Sequence, residues 1–353
     1  MKRFIRKAHN KVLYAAPLAI ASSALAVSLI APQVARAQTS NLAPVSPNQL
    51  VSWIQSDSPL PLTGTVSGTT SFPIPSASLL NGSNPPSALS GSTTESYNVW
   101  ANGAGSFRSQ QVTSGGEKDL YVNPGSVWLW DSSTLTATSE KASNGGTTAS
   151  SGSNPAATAS GIINNLSAYS NISVSGSTMV AGRPAYTLSI IPTATDSLIG
   201  SIQIAIDGQT HVPVQVQIFP KDSTTPAASL GFVTLTFAPQ SSSIFSFTPP
   251  IGAKVVDGTS TAGAGSFSSG TGATGASKMV GTGFDSVVVV TPSAKMSSNL
   301  ANIEKSLPKI ATPTGTSVSL YSTPIFQAII LSNGTIIGGA VDTARLIQVA
   351  SGL

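Results

Sequence analysis

Hydrophobic and polar residues alternate with a period of two through most of residues 62–247, and this pattern predicts short, half-buried antiparallel strands. The alternation is cleanest where Ile202, Ile204 and Ile206 would share one face while Gln203 points the other way. Gly, Pro, Asn and Asp bound the stretches, as turns between strands require. We predict eleven strands, at about 62–72, 94–101, 105–112, 117–122, 126–131, 134–139, 171–180, 184–191, 199–207, 213–219 and 230–238.

One face of the later strands is predicted to be apolar and to line a ligand cavity. Its residues are Tyr186, Leu188, Ile190, Ile202, Ile204, Ile206, Val214, Val216, Ile218, Val233, Leu235 and Phe237. Such a face must be covered by a second sheet, by helices or by curling of the sheet. Two helices are predicted as covers, at Pro47–Gln55 with Ser46 as N-cap and at 156–168. Because two short helices cover little of eleven strands, we expect a mainly β fold, a curved antiparallel half-barrel with a partly open mouth.

Residues 281–353 follow a different pattern, which predicts a small C-terminal α+β domain. The predicted elements are a strand at 284–290, a helix at 297–306, strands at 316–321, 325–331 and 335–340, and a helix at 342–350. Asn333-Gly334 lies between two apolar stretches and predicts a hairpin with a type I′ turn.

Two polar low-complexity tracts divide the chain. The first, at about 141–154, lies between similar strand patterns and is predicted to be an insert within one domain. The second, at 257–280, is rich in Gly, Ser and Thr and predicts a flexible linker. The first domain is therefore expected at 38–256 and the second at 281–353.

The N-terminus has the pattern of an export signal. Basic residues lead into an apolar stretch at 12–31, which ends at Ala35-Arg36-Ala37, a small-x-small cleavage site. This predicts a signal peptide at 1–37, cleaved after Ala37, and a secreted or extracytoplasmic protein of the cell envelope. The alternative is an uncleaved membrane anchor, since about 20 apolar residues can span a bilayer.

Charge and cysteine content exclude several kinds of protein. Residues 1–37 hold six of the 17 basic residues and none of the 13 acidic ones, so residues 38–353 carry 11 basic and 13 acidic residues, a net charge of −2. This balance does not support nucleic-acid binding. The chain has no cysteine, which excludes disulfides, thiolate metal sites and lipid attachment through a cysteine. The fold must therefore depend on its apolar core.

Catalytic motifs are missing from the sequence. His211, the single histidine after residue 37, follows a turn and is predicted to be a turn residue. Glu117 and Asp119 flank a lysine, as at the start of an exposed strand. A G-x-G-x-x-G match at 270–275 falls in the low-complexity tract without a preceding strand, so we attribute it to composition. We predict a non-catalytic protein without metal or cofactor.

Aromatic and basic side chains offer further candidate contacts. Trp128 and Trp130 share one face of a strand and would either pack in the core or form a cavity wall. Arg108 follows Phe107 in a strand, and Arg183 lies in a turn. Arg183 is predicted to be solvated in its loop or paired with a carboxylate, with ligand contact at the cavity rim as the alternative. Arg108 would lie at the cavity rim, where a guanidinium can meet an anionic headgroup or a partner's carboxylate.

Several stretches resemble one family. Residues 180–188 (VAGRPAYTL) followed by 206–214 (IDGQTHVPV) resemble a strand and a hairpin of the LolA/RseB lipoprotein-carrier superfamily. Residues 127–130 (VWLW) and 245–253 (FSFTPPIGA) fit as well, the latter like the family's domain ending. The similarity spans about 46–256 and is closest to secreted actinobacterial members.

The resemblance implies an eleven-stranded half-barrel around helices, whose apolar concave face holds an acyl chain of a lipid or lipoprotein. Its first functional implication is a carrier of that ligand. The second is a regulatory sensor, like RseB, with a membrane protein as partner. A cell-surface structural protein is a third possibility, suggested by the Ser/Thr/Gly tracts. The ligand and the oligomeric state stay open.

Overall fold

A computed structural model describes residues 42–55, 60–72, 92–103, 105–141, 153–257, 275–292, 304–313 and 315–353. The predicted signal peptide, most of the two low-complexity tracts and most of the predicted helix at 297–306 lie outside the described residues.

Twelve strands form one large sheet. They are β1 Leu62–Thr70, β2 Thr93–Ala101, β3 Phe107–Thr113, β4 Gly116–Asn123, β5 Ser126–Asp131, β6 Thr136–Lys141, β7 Ser170–Val180, β8 Arg183–Pro192, β9 Ile199–Asp207, β10 Pro213–Pro220, β11 Ala228–Thr236 and β12 Lys254–Asp257. Their order is β12-β6-β5-β4-β3-β2-β1-β11-β10-β9-β8-β7. All neighbours are antiparallel except β12, which runs parallel to β6. The predicted mainly β, unclosed sheet is confirmed, and β12, which is short and does not alternate clearly, is added to the eleven predicted strands.

The sheet is strongly curved. β7 contacts β11 although β8, β9 and β10 lie between them. The strand register shifts at Val174/Gly176, at Pro213/Gln215 and at Thr65/Val66. Such bulges increase local twist and bend the strand that carries them. The curvature gives the sheet an apolar face that two short helices can reach.

Two helices, α1 Pro47–Gln55 and α2 Pro155–Leu166, pack on this face. The Ser46 hydroxyl accepts a hydrogen bond from the Gln49 amide at 3.2 Å, and the Asn154 side chain caps α2 by accepting from two backbone amides. Both capping residues satisfy N–H groups that a helix start leaves unpaired. The predicted bounds of α1 agree with the structure.

A second sheet of six strands follows. Its strands are β13 Gly275–Val280, β14 Val287–Pro292, β15 Lys309–Ala311, β16 Ser317–Ser322, β17 Gln327–Ile330 and β18 Ile336–Gly339, in the order β13-β14-β18-β17-β16-β15. Helix α3, Thr343–Ser351, packs on it through Leu346 and Val349. β13 occupies the last six residues of the predicted linker, where small residues hid the strand pattern.

The hairpin at Asn333-Gly334 joins β17 and β18, but its turn differs from the predicted type I′. Gly334 has φ 81°, whereas Asn333 is not among the described residues with positive φ. The Gly334 amide bonds to the Leu331 carbonyl at 2.8 Å. Ser332 and Asn333 therefore form an ordinary turn, and glycine supplies the left-handed residue that rejoins the strand.

Backbone hydrogen bonds connect the two sheets directly. The Leu198 amide donates to the Ala340 carbonyl and the Asp342 amide to the Asp196 carbonyl, each at 2.8 Å. Phe284, in a 3₁₀ turn before β14, is buried in the same apolar cluster as helices α1 and α2. The second sheet thus contributes a side chain to the core of the first.

We predict that Leu188→Ala lowers the free energy of unfolding by about 3 kcal/mol, because Leu188 is fully buried beneath the helices and its truncation leaves a cavity. Urea denaturation followed by circular dichroism measures the change. The control is Val233→Ala, on a side chain that is 59% exposed, with an expected change within about 0.5 kcal/mol. Equal effects of the two substitutions would contradict the assigned core.

Candidate functional site: the helix-covered face

Eight of the predicted cavity residues come together under the two helices, and we call this surface the helix-covered face. They are Tyr186, Leu188, Ile190, Ile202, Ile204, Ile206, Val216 and Ile218. The first seven are buried, and Ile218 is partly buried against them. Cross-strand pairing explains the grouping, since Leu188 pairs with Ile204 and Ile204 with Val216. In the structure this face is a packed core rather than an open hollow.

Helix α1 supplies much of the cover. Leu50 and Ile54, one helical turn apart, are buried in the cluster. The Tyr186 hydroxyl donates to the Ala43 carbonyl at 2.9 Å, just before the helix. Trp53 stacks in parallel on His211, with ring centroids 3.6 Å apart and an interplanar angle of 6°. The turn after β9 therefore holds one side of α1.

Helix α2 lies beside α1 and completes the cover. Ala159 and Ile163 are fully buried in the same cluster. The Ser160 hydroxyl donates to the Ile54 carbonyl at 3.0 Å, and the Gln55 amide group donates to the Asn164 side chain at 3.4 Å. The two helices are thus joined to each other as well as to the sheet.

Four further predicted cavity residues lie elsewhere. Val214, Leu235 and Phe237 belong to a second apolar cluster, around Val66 and Phe232. The register shift at Pro213/Gln215 leaves Val214 without a strand partner, so simple alternation with Val216 and Ile218 assigns Val214 to the wrong cluster.

Val233 is likewise displaced by a bulge. β1 pairs Thr65 with Thr234 and then Val66 with Phe232, which leaves Val233 between them without a partner. Its side chain is exposed, so it lies in neither cluster.

Trp128 and Trp130 lie on the opposite face of the sheet from Leu188. Trp128 pairs with Tyr121, Tyr121 with Arg108, Arg108 with Trp100 and Trp100 with Thr63. The pairings that start from Leu188 reach β1 at residues whose side chains point to the opposite face from Thr63. Phe247 packs on both tryptophans, with centroids 5.5 and 5.9 Å away. The tryptophan pair is therefore part of a packed aromatic cluster away from α1 and α2.

Arg108, a predicted rim residue, lies in this aromatic cluster. Its guanidinium pairs with the Asp119 carboxylate at 2.9 Å and lies 4.7 Å from the Tyr121 ring. The Tyr121 hydroxyl donates to the same carboxylate at 2.8 Å. Burial raises the pKa of the Tyr121 phenol, and this hydrogen bond raises it further. Arg108 thus pairs with a carboxylate of its own chain, a role that the sequence did not indicate.

Arg183, the other rim candidate, pairs with the fully buried Asp207. Its Nε and Nη2 donate to the two carboxylate oxygens at 2.6 and 3.0 Å. Thr210 donates to the same carboxylate through its amide and its hydroxyl. Burial alone would raise the pKa of Asp207, but the hydrogen bonds from Arg183 and Thr210 outweigh it and lower the pKa below its ordinary value. This network ties β8 to the turn that contacts Trp53.

The sequence prediction missed the side chains that the helices contribute. In each helix two buried residues are four positions apart, Leu50 and Ile54 in α1 and Ala159 and Ile163 in α2. This spacing indicates an apolar stripe that faces the core. The stacking of His211 on Trp53 joins residues 158 positions apart and has no local signal. His211 does lie in a turn, as predicted, with φ 63°.

Within the described ranges, no group of three or more His, Asp or Glu side chains is arranged to hold a metal ion. None of the helices among those residues is both long and apolar enough to cross a membrane.

No protein-family model matches the sequence, and no curated protein matches it. Solved structures do match. The Pseudomonas aeruginosa MucA/MucB complex is 14% identical over 85% of this chain and 96% of that chain, with a TM-score of 0.44. A LolA superfamily protein from Nitrosomonas europaea is 9% identical over 58% and 99%, with a TM-score of 0.26. The Mycobacterium tuberculosis lipoprotein LppX is 12% identical over 54% and 97%, with a TM-score of 0.29.

The chain is similar in fold to LolA/RseB-like proteins. Identities this low describe only an arrangement of strands and helices, and they assign no ligand. The described residues of this chain form an unclosed twelve-stranded sheet with a helical cover. Contact of the helix-covered face with lipid stays a prediction. The similarity to secreted actinobacterial members also stays a prediction.

We predict that Asp207→Asn lowers the free energy of unfolding by about 3 kcal/mol at pH 7, because it leaves Arg183 without its buried counter-charge. Since the pKa of Asp207 is lowered in the folded state, its contribution is complete above the unfolded pKa of about 4 and is lost as pH falls through the folded pKa. Urea denaturation at pH 7 and pH 2.5 should therefore show a smaller difference between variant and wild type in acid. Asp222→Asn, at an exposed position where φ is 61°, is the matched control. A penalty for Asp207→Asn that is the same at both pH values would contradict the charged network.

Proposed function

We propose that this chain is an exported envelope protein that carries the acyl chain of a lipid or lipoprotein between the helix-covered face and helices α1 and α2. The supporting observation is the chemistry of that interface. Its buried side chains are aliphatic and aromatic, and the buried carboxylates of the described residues, Asp119 and Asp207, pair with arginines elsewhere. An acyl chain presents the same kind of surface as the helix side chains that it would replace.

The free energy gained by burying an acyl chain is comparable to the free energy lost when α1 is displaced. Each methylene group that leaves water contributes about 0.8 kcal/mol, so eight methylenes contribute about 6 kcal/mol. Displacement of α1 exposes Leu50 and Ile54, each of which costs about 1.5–3 kcal/mol to return to water. A ligand of ordinary acyl length can therefore compensate for the displaced helix.

Helix α1 is suited to displacement because it has only nine residues. An isolated helix of that length is marginal in water, so its order depends on tertiary packing. Strands β8 and β9, in contrast, are held by backbone ladders on both sides. The sheet would persist while α1 moves. The function needs binding and release, without a covalent step.

The extracytoplasmic location belongs to the same proposal. It is supported by the basic and apolar pattern of residues 1–37. Uptake of lipid at one membrane and release at another requires a protein that crosses an aqueous space between them.

A reversible lock on α1 tests the proposal. The Trp53 and His211 rings face each other, so Trp53→Cys with His211→Cys places a thiol of α1 opposite a thiol of the turn after β9. Oxidation joins the two thiols in a disulfide that fixes α1, and mass spectrometry verifies that it has formed. The chain has no other cysteine, so no competing disulfide can form. We predict that the oxidised variant binds cis-parinaric acid at least tenfold more weakly than the same sample after reduction. Fluorescence titration measures the affinity.

The reduced sample is the matched control, since it carries the same two substitutions. Equal affinity of the oxidised and reduced samples would contradict binding beneath α1. Absence of binding in wild type and reduced variant alike would contradict a lipid carrier altogether.

A regulatory sensor with a membrane protein partner is the second candidate, and the position of Phe284 favours it. This side chain belongs to the second sheet region and packs in the helix-covered cluster, so displacement of α1 and α2 would change its surroundings. Arg345 of α3 pairs with Asp196 across the same junction and with Asp285 within the second sheet region, both at 3.7 Å. Mass spectrometry of protein purified from its host distinguishes the two: stoichiometric lipid supports a carrier, and a co-purified membrane protein supports a sensor.

A further inference from the structure

Three large aliphatic side chains project into solvent at one corner of the large sheet. Leu135 is 55% exposed, Ile251 is 108% exposed and Val255 is 53% exposed. Leu135 precedes β6 and Ile251 precedes β12, and these two strands are neighbours at the sheet edge. The Lys254 amide donates to the Leu135 carbonyl at 2.8 Å, which places the two turns side by side. We call these three residues the aliphatic corner.

Folding does not account for aliphatic residues in these turns. Leu135 has φ 50°, a left-handed conformation that favours Gly or Asn and is strained for Leu. Ile251 lies in a turn closed by the Ala253 amide on the Pro250 carbonyl at 3.0 Å, with Gly252 at φ 85°. Position i+1 of such a turn accepts most residues and gains nothing from an exposed isoleucine. A side chain that is both strained and unburied indicates a role outside the fold.

We infer that the aliphatic corner inserts into the interfacial region of a lipid bilayer. The area favours this partner over a second copy or another folded protein. At about 100 Å² for each side chain, the corner offers about 300 Å² of apolar surface. A stable protein–protein interface needs about 800 Å² on each side.

The shape of the corner fits the same partner. Separate side chains at the ends of turns would need matching pockets in a folded protein, whereas acyl chains and headgroups adapt to them. Interfacial binding strength follows the buried apolar area, so 300 Å² gives reversible attachment.

Co-sedimentation of the protein with phosphatidylcholine vesicles tests this inference. The wild-type chain should partition onto vesicles, and Leu135→Asn with Ile251→Ser should lower the partition coefficient at least tenfold. Asn tolerates the φ of Leu135, so the melting temperature of the variant should be unchanged or higher. The matched control is Val112→Ser, an aliphatic residue of β3 that is 67% exposed and lies outside the corner; it should partition like wild type.

Membrane insertion of the aliphatic corner is a separate property from acyl binding. Its role in lipid carriage rests on the proposed function. Partition onto vesicles does not require uptake of an acyl ligand, so the two assays are independent. The Leu135→Asn/Ile251→Ser variant should therefore still bind cis-parinaric acid. Absence of wild-type partition, unchanged partition of the double variant, or equal loss in Val112→Ser would overturn the inference. A dimer in sedimentation velocity that the double variant abolishes, without vesicle binding, would overturn it in favour of a second copy.

Discussion

The packing of α1 and α2 on the helix-covered face is the interaction on which the architecture depends. Leu188, Ile190 and Ile204 are fully buried only because side chains of two short helices cover them. The chain has no disulfide and few charged residues, so apolar burial must supply most of its stability. The same burial that stabilises the fold would select an acyl chain as a ligand, because both rely on contact between hydrocarbon groups.

Polar networks position this interface without entering it. The ion pair of Arg183 with Asp207 fixes the turn after β9, and that turn presents His211 to Trp53. On the other face of the sheet, Arg108 pairs with Asp119 and lies against the rings of Trp100 and Tyr121. Both arginines are thus partners of buried carboxylates within the protein. One ion pair stabilises the turn after β9, and the other lies on the face of the sheet opposite the helix-covered face.

Local alternation predicted the strands of the large sheet and the apolar face of β8 and β9, because the period of two is visible among consecutive residues of a single strand. It failed where bulges shift the register, as at Val214 and Val233, since an extra residue in one strand interrupts the alternation at that position. It could not place Trp128 and Trp130 relative to Leu188, because that relation depends on pairings across several strands. The helices were predicted, α1 from Ser46 as its N-cap and Pro47 in its first turn. Their complete coverage of Leu188 and its neighbours was not, because the curvature of the sheet is set by bulges and twist.

Hydrogen exchange of the backbone amides of α1 tests the central claim most directly. With cis-parinaric acid bound at saturation, the amides of Leu50 to Ile54 should lose protection, while those of β8 and β9 keep it. A saturated protein in which the α1 amides are as protected as in the free protein, or more so, would contradict the account, because the ligand would then lie somewhere other than beneath the helix.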